Sequence, residues 1–337
     1  MRFRFLTATP RNVTGGSGTY VGISVLAGAL RNLGHSVDLE FPSRHFPIFT
    51  AERLWFNRQL RRSETHDLTV GFDMDGYRIA AGAAHVASLK GVIADEVRFE
   101  RGLTRFTMSI QARCEWLHVH RAARVLVTSS YCADRVRDLY GLAAEPAIVP
   151  ELIDLAAWRA HLAAAPSTPA DRFTVLFVGR FYRRKRVDVL LRAAAQLRNV
   201  EVRIVGNGPC NPMWRALARE LKLGDKVTWL GDVSRAQLAA EYNRCHAFCL
   251  PSVQEGFGIV LLEAMAAGKP IVAARAAAIP EVAPHAVLVA PDSPEALADG
   301  IAAVQRDPGR QPPLGTEWVE QFDAPRVAAL FLNATLL

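Results

Sequence analysis

Long apolar runs, paired cysteines and tracts of biased composition are missing from this chain. No segment approaches the ~18 consecutive apolar residues of a membrane span. The opening MRFRFLTATP carries an apolar run far below the roughly 7–15 residues of a secretory core. Five cysteines (Cys114, Cys132, Cys210, Cys245 and Cys249) stand apart, with no C-x-x-C pair and no histidine spaced to complete a zinc site. That excludes a disulfide framework and leaves no metal site to expect. These absences predict a cytoplasmic protein, at most peripheral to the inner face of a membrane.

Aromatic residues are only 8% of the chain and lack the extended interleaving with basic residues of single-strand binders. No recognition-helix pattern is present either, so nucleic acid is not expected as a partner. The net charge is nevertheless +7. The excess is arginine, crowded at Arg44, Arg53, Arg58, Arg61 and Arg62 and again at Arg98, Arg101, Arg105 and Arg113. Such clusters suit phosphates, an anionic membrane face or nucleic acid, and equally a solvated helix face.

What remains is ordinary globular material: 337 residues, 50% hydrophobic and 22% charged, enough to fill two interiors. Runs of period two and period 3.6 alternate throughout, the pattern of βαβ units on a parallel sheet. In the first half, strands are expected at residues 3–8, 36–41, 67–72, 85–89, 124–128 and 147–149. Helices are expected at 19–33, at a long 95–122, and at 130–140. HLAAAPSTPADR, residues 161–172, reads as a linker between domains 1–160 and 173–317. The alternation restarts with FTVLFVG, VEVRIVG, KVTWLG, HAFCLP, PIVAA and AVLVA as strands, and helices at 186–197, 212–221, 235–245, 258–267 and 294–304. The fold class is therefore α/β, with two Rossmann-like doubly wound domains. Ligands of such sheets bind beyond the carboxyl ends of the strands.

Four loops there carry candidate chemistry. The first turn places Gly15, Gly16 and Gly18 before a helix, suited to an anion or to a plain tight turn; Val21 breaks the dinucleotide fingerprint. The second domain's first strand ends in VGRFYRRKR, with Arg180 and Lys185 placed for a diphosphate or as surface charge. VGNGPC brings Gly206 and Gly208 close to any ligand but lacks the third glycine. In EGFGIVLLEAMAAGKPIV, residues 255–272, the first amides of a helix near Gly258, Ile259 and Val260 have no helical acceptor and suit a phosphate. Glu263, set among Leu261, Leu262, Ala264 and Met265, needs a partner: either a ribose diol or an ion pair with Arg180 or Arg275. Glu255 reads either as a sugar contact or as a capping charge.

E-G-F-G-x-x-x-x-E followed by A-M-A-x-G-x-P-I-V, with VGR and Lys185 upstream and GGSGTY at the start, resembles the retaining nucleotide-sugar glycosyltransferases of family 4. The resemblance implies the GT-B fold, with an interdomain cleft and a final helix, within residues 318–337, crossing back onto the first domain. It implies that Glu263 holds the nucleotide ribose, Glu255 the donor sugar, and Arg180 with Lys185 the diphosphate. The amides after Gly256, Phe257 and Gly258 would cradle phosphates, and Gly16 would lie near the diphosphate. Asp73 and Lys90 are the acceptor-side candidates, Lys90 standing where many relatives have a histidine. The implied reaction is metal-independent, moving a sugar from a UDP- or GDP-linked donor to a hydroxyl acceptor with no further cofactor. A sugar-nucleotide epimerase or hydrolase on the same scaffold is the competing enzyme class.

Overall fold

The computed structural model describes residues 1–10, 18–166, 170–307 and 312–336. They group into two compact units: residues 1–10, 19–152 and the chain from Ala324 onward in one, and residues 153–323 in the other.

In the first unit the order is β1 (Arg2–Leu6), α1 (Gly18–Asn32), β2 (Ser36–Glu40), α2 (Phe49–Gln59), β3 (Leu68–Phe72), β4 (Gly82–Leu89), α3 (Ile93–Val97), α4 (Gly102–Arg121), β5 (Ala122–Val127), α5 (Ser130–Tyr140) and β6 (Ala147–Ile148). The strands form one parallel sheet in the order β2-β1-β3-β4-β5-β6. Every residue of β3 is buried, as expected for a parallel strand covered on both faces.

The expected helix 95–122 is instead two helices. The break falls at Arg98–Arg101, and Gly102 at φ 56 lets the chain turn where most residues would be strained. Helix α2 has no counterpart among the helices expected from the sequence, because its buried face is largely polar: Thr50, Glu52, Arg53 and Asn57 lie inside beside Phe56. That face hides the apolar period that marks an amphipathic helix.

In the second unit come α6 (Leu155–Ala164), β7 (Phe173–Val178), α7 (Val187–Gln196), β8 (Val200–Val205), α8 (Asn211–Glu220), β9 (Val227–Gly231), α9 (Arg235–Arg244), β10 (Ala247–Leu250), α10 (Ile259–Ala266), β11 (Ile271–Ala274), α11 (Ile279–Val282), β12 (Val287–Val289), α12 (Pro294–Arg306) and α13 (Pro312–Trp318). Their sheet is parallel in the order β12-β11-β10-β7-β8-β9, which reverses direction between β7 and β10. The stretch expected as a linker starts inside a helix, since residues 161–164 belong to α6. Asp154 caps that helix by accepting from the Ala157 amide at 2.9 Å, and Trp158 buries its indole, so the boundary moves back to Leu152–Ile153.

The chain returns to the first unit with α14 (Ala324–Leu336). Phe331 sits 6.1 Å, ring centre to ring centre, from both Phe3 and Phe5, and Val327 and Ala328 are buried in the same core. All five cysteines are buried thiols outside any disulfide. Among the described residues no helix is long and apolar enough to cross a membrane.

Candidate functional site

In the second unit, the loops leaving β7 and β10 flank the point where the strand order reverses, the usual ligand position of an open parallel sheet. Val253 N–H donates to Arg184 O at 2.9 Å and joins the two loops. After β7, Gly179 and half-buried Arg180 lead through buried Phe181 into a single 3-10 turn, Arg183–Lys185. Lys185 Nζ there donates to Glu255 Oε1 at 2.6 Å. Both side chains are largely out of water, 15% and 8% exposed, so each charge offsets the desolvation of the other. Glu255 is thus half of an ion pair in the loop after β10, a partner that sequence reasoning did not assign.

Phe257 anchors that loop from beneath, edge-on to Phe322 at 5.3 Å. Gly258 follows at φ 92, the left-handed turn from which α10 starts, and Leu261 N–H bonds back to Gly258 O at 2.8 Å. The amides of Ile259 and Val260, in the first turn, have no acceptor within the helix by its geometry, and the positive end of its dipole lies there.

Glu263, buried in α10, is not left without a protein partner, and the expected partners are not the ones found. Arg180 lies after β7 and Arg275 is exposed; Oε1 instead accepts from Arg235 Nη1, at the start of α9. Tyr242 Oη–H points between Glu263 Oε2, at 3.3 Å, and Val260 O, at 3.1 Å. The Arg235 guanidinium lies 4.4 Å from the centre of the Trp158 ring, whose indole N–H donates to Glu263 O at 3.1 Å. The carboxylate's burial is therefore offset inside the protein, and tolerance of Glu263 among leucines does not require a bound diol. A carboxylate accepts at about four lone-pair positions, so capacity for a ligand remains. Arg235, Trp158 and Tyr242 were missed because their meeting depends on α6, α9 and α10 packing together, which no local spacing encodes.

The glycines after β7 and β8 have a packing reason. A Cβ on Gly206 would lie 2.1 Å from Gly179 O, and one on Gly208, at φ 157, would lie 2.7 Å from Phe181 N. These loops close backbone to backbone, with Phe181 N–H donating to Asn207 O at 2.9 Å. Gly16, from the N-terminal turn, falls outside the described residues.

In the first unit Asp73 leaves β3 at φ 53, next to the reversal between β1 and β3. Lys90 meets it through its backbone, Lys90 N–H donating to Asp73 Oδ1 at 2.9 Å. The Lys90 ammonium points elsewhere, to Glu151 Oε2 at 3.0 Å, a pair in which both side chains are 6% exposed. Burial pushes the Asp73 carboxyl up to about 6, against the lowering pull of Arg53, whose Nη2 stands 3.8 Å from Oδ2. Arg53 is no surface charge. It is buried, bonds Asp75 through Nε and Nη2 at 3.2 and 2.9 Å, and reaches Gln111 Oε1 at 3.1 Å. Asp75 also accepts from the Ala8 amide at 2.7 Å and from Asn57 at 3.0 Å. His118 bonds Asp73 O through Nδ1 at 2.5 Å and His85 through Nε2 at 2.9 Å. Burial pushes His85 down to about 3 and His118 to about 4, so both rings are neutral near pH 7.

Comparison with known proteins places this geometry. Residues 161–320 match the family model described as glycosyl transferases group 1. D-inositol 3-phosphate glycosyltransferase of Kineococcus radiotolerans is 34% identical over 229 residues, 58% of this chain and 52% of that protein. The protein of that name from Mycolicibacterium smegmatis is 42% identical over 137 residues, 39% of this chain and 30% of its own length. The chain thus spans about half the length of these curated relatives, or less. Among solved structures, sucrose-phosphate synthase from Thermosynechococcus elongatus superposes with a TM-score of 0.80 at 22% identity, covering 98% of this chain and 97% of its own. Anabaena HepE in complex with UDP-glucose superposes with a TM-score of 0.74 at 16% identity, covering 100% of both chains. Residues 161–320 are thus similar to the glycosyl transferases group 1, and the chain carries the two Rossmann-like units of the GT-B fold.

Proposed function

We propose that this chain is a retaining, metal-independent glycosyltransferase that moves a sugar from a UDP- or GDP-linked donor to a hydroxyl acceptor. The observation that carries this reading is the Lys185–Glu255 pair at the head of α10, where a cation, a carboxylate and first-turn amides share the strand-order reversal. In the proposed site Arg180 and Lys185 take the diphosphate, together with the amides from Gly256 to Val260. Glu255 takes the donor sugar's hydroxyls, and Glu263 takes the ribose diol with its remaining lone pairs. Asp73, with Lys90 behind it, serves the acceptor side. HepE, solved with UDP and with UDP-glucose, supports a nucleotide-sugar donor.

The proposed reaction breaks the bond between the anomeric carbon and the diphosphate oxygen. The new bond, to the acceptor oxygen, forms on the same face of the sugar. The departing diphosphate oxygen takes the acceptor's proton, so no separate base is needed. The protein's work is stabilisation of developing negative charge by Arg180, Lys185 and the helix amides.

The test is an incubation with UDP- and GDP-linked sugars and a panel of hydroxyl acceptors, read by proton NMR of the anomeric signal with and without EDTA. Transfer with the donor's anomeric configuration, undiminished by EDTA, is expected. Inverted product overturns retention, and abolition by EDTA overturns metal independence. Free sugar or an epimerised donor formed at full rate without acceptor makes the protein a hydrolase or epimerase.

A further inference from the structure

Asp73 stands at φ 53, a left-handed conformation uncommon outside glycine. Four hydrogen bonds fix it there. Its own N–H donates to Ser88 O at 3.0 Å, and Asp75 N–H donates to Phe72 O at 2.9 Å, closing the turn. Lys90 N–H holds Oδ1, and His118 Nδ1 holds the Asp73 carbonyl. A carbonyl only accepts, so Nδ1 carries the hydrogen of that neutral ring; its Nε2 is then an acceptor, and His85 Nε2–H must donate to it. The buried pair of imidazoles therefore has one arrangement of protons, and the turn has one orientation. Asp73 Oδ2 is the exception. It accepts no hydrogen bond from the described residues, because Arg53, 3.8 Å away, directs Nη2 to Asp75 and Phe72 O, and Nη1 to Gln111.

The described chain that follows β1, β3, β4, β5 and β6 carries acids in excess. Across residues 7–10, 73–76, 90–91, 128–130 and 149–151 the acids are Asp73, Asp75 and Glu151, and the base is Lys90. Lys90 Nζ pairs with Glu151 Oε2 at 3.0 Å, and Arg53, reaching in from α2, pairs with Asp75 at 2.9 Å. Both cations are thus matched and largely out of water, and the negative charge left over is that of Asp73. Five further polar side chains of these stretches are hydroxyls: Thr7, Thr9, Thr128, Ser129 and Ser130. A phosphate brought to Oδ2 would set two negative charges together where little water reaches, whereas a hydroxyl has a hydrogen to donate to it.

We infer that the acceptor unit seated against Asp73 is an uncharged sugar or polyol, without phosphate, one hydroxyl of which donates to Oδ2. The inference rests on the sugar-transfer reading and names the substrate class of its acceptor side. Asp73 is then the residue that selects against phosphorylated acceptors, and the fixed turn is what keeps Oδ2 presented to the hydroxyl.

The experiment offers the full chain UDP- and GDP-linked sugars with glycerol, glucose and myo-inositol, each beside its own monophosphate, and measures kcat/KM for both members of every pair. At least one pair should be used, with the uncharged member preferred on the order of tenfold or more. Asp73→Asn, which keeps an oxygen for the Lys90 amide, should shrink that preference on the order of tenfold by raising kcat/KM for the phosphorylated member. A phosphorylated member preferred by the wild type, or a preference for the uncharged one undiminished in Asp73→Asn, overturns this inference alone, since sugar transfer has then been seen. Donor binding by calorimetry with no uncharged member glycosylated overturns it as well. A wild-type chain that binds neither donor and glycosylates no acceptor overturns the sugar-transfer reading, and this inference with it.

Discussion

Lys185 Nζ and Glu255 Oε1 stand 2.6 Å apart although 70 residues separate them in the chain. The pair holds together the loops after β7 and β10, and it is the contact on which the proposed donor site turns.

Removing one member should therefore cost more than removing both. Lys185→Met leaves Glu255 charged and poorly solvated, at a cost of roughly 3 kcal/mol, whereas adding Glu255→Leu should restore part of that loss. Urea unfolding of the two single variants and the double variant measures it, and strictly additive losses would show the pair to be uncoupled. Glu255→Gln should lower kcat/KM for sugar transfer on the order of a hundredfold with a smaller effect on stability.

Arg235 should govern how well the protein distinguishes a ribonucleotide from its 2′-deoxy counterpart, because it holds one oxygen of Glu263. Arg235→Gln is expected to raise the Kd of a UDP- or GDP-linked ribonucleotide roughly tenfold while barely changing that of the 2′-deoxy form; Arg235→Lys should recover part of the preference. Calorimetric titration of both ligands checks it. An unchanged ratio in the glutamine variant would leave Arg235 with a packing role only.

Asp73 gives a pH dependence whose sign follows from its environment. Burial raises its folded-state value to about 6 from an ordinary 3.8, so between those values the native state binds more protons than the unfolded chain. Ionising Asp73 in the folded protein thus removes stability as pH rises through that window. The difference in thermal midpoint, Asp73→Asn minus wild type, should grow more positive from pH 4 to pH 7, by a few degrees for a shift of this order. A difference that is flat or falls with pH would show that the Arg53 charge, and not burial, dominates.

Gly71 lies beneath the buried polar cluster with no room for a side chain. A Cβ there would stand 2.0 Å from Asp75 O and 2.6 Å from His118 Cε1. Gly71→Ala should cost roughly 3 kcal/mol, at the upper end of overpacking, and displace Asp73 as well. Chemical denaturation gives the first number; loss of the pH dependence just described gives the second.

Much of the architecture was legible in the sequence because parallel strands buried on both faces are written as continuous apolar runs. The FTVLFV of β7 is fully buried along its length. The head of α10 was legible for a different reason: glycines that must turn sharply and an acid set among leucines are local signals. Arg53 could not be told from a surface charge because its partners Asp75 and Gln111 lie on other elements, and burial of a charge on α2 erased the apolar period that would have announced the helix. Glu263 shows the converse. Its need for a partner could be read from its neighbours, but Arg235 could be identified only once α9 was packed beside α10. The small, proline-bearing stretch at residues 161–172 looks like a linker throughout, yet its first residues are helical because Asp154 and Trp158, just upstream, cap and anchor α6.

The ring of Phe331 completes a cluster begun by Phe3 and Phe5, so the earliest and latest stretches of the described chain share one interior. A nascent polypeptide leaving the ribosome carries the front of that interior long before its lid has been translated. Residues 153–323, the bulk of the second unit, form one uninterrupted stretch of sequence and can consolidate first. During synthesis the order of maturation would then run opposite to the order of the genetic message, with the amino-terminal unit waiting for the last helix.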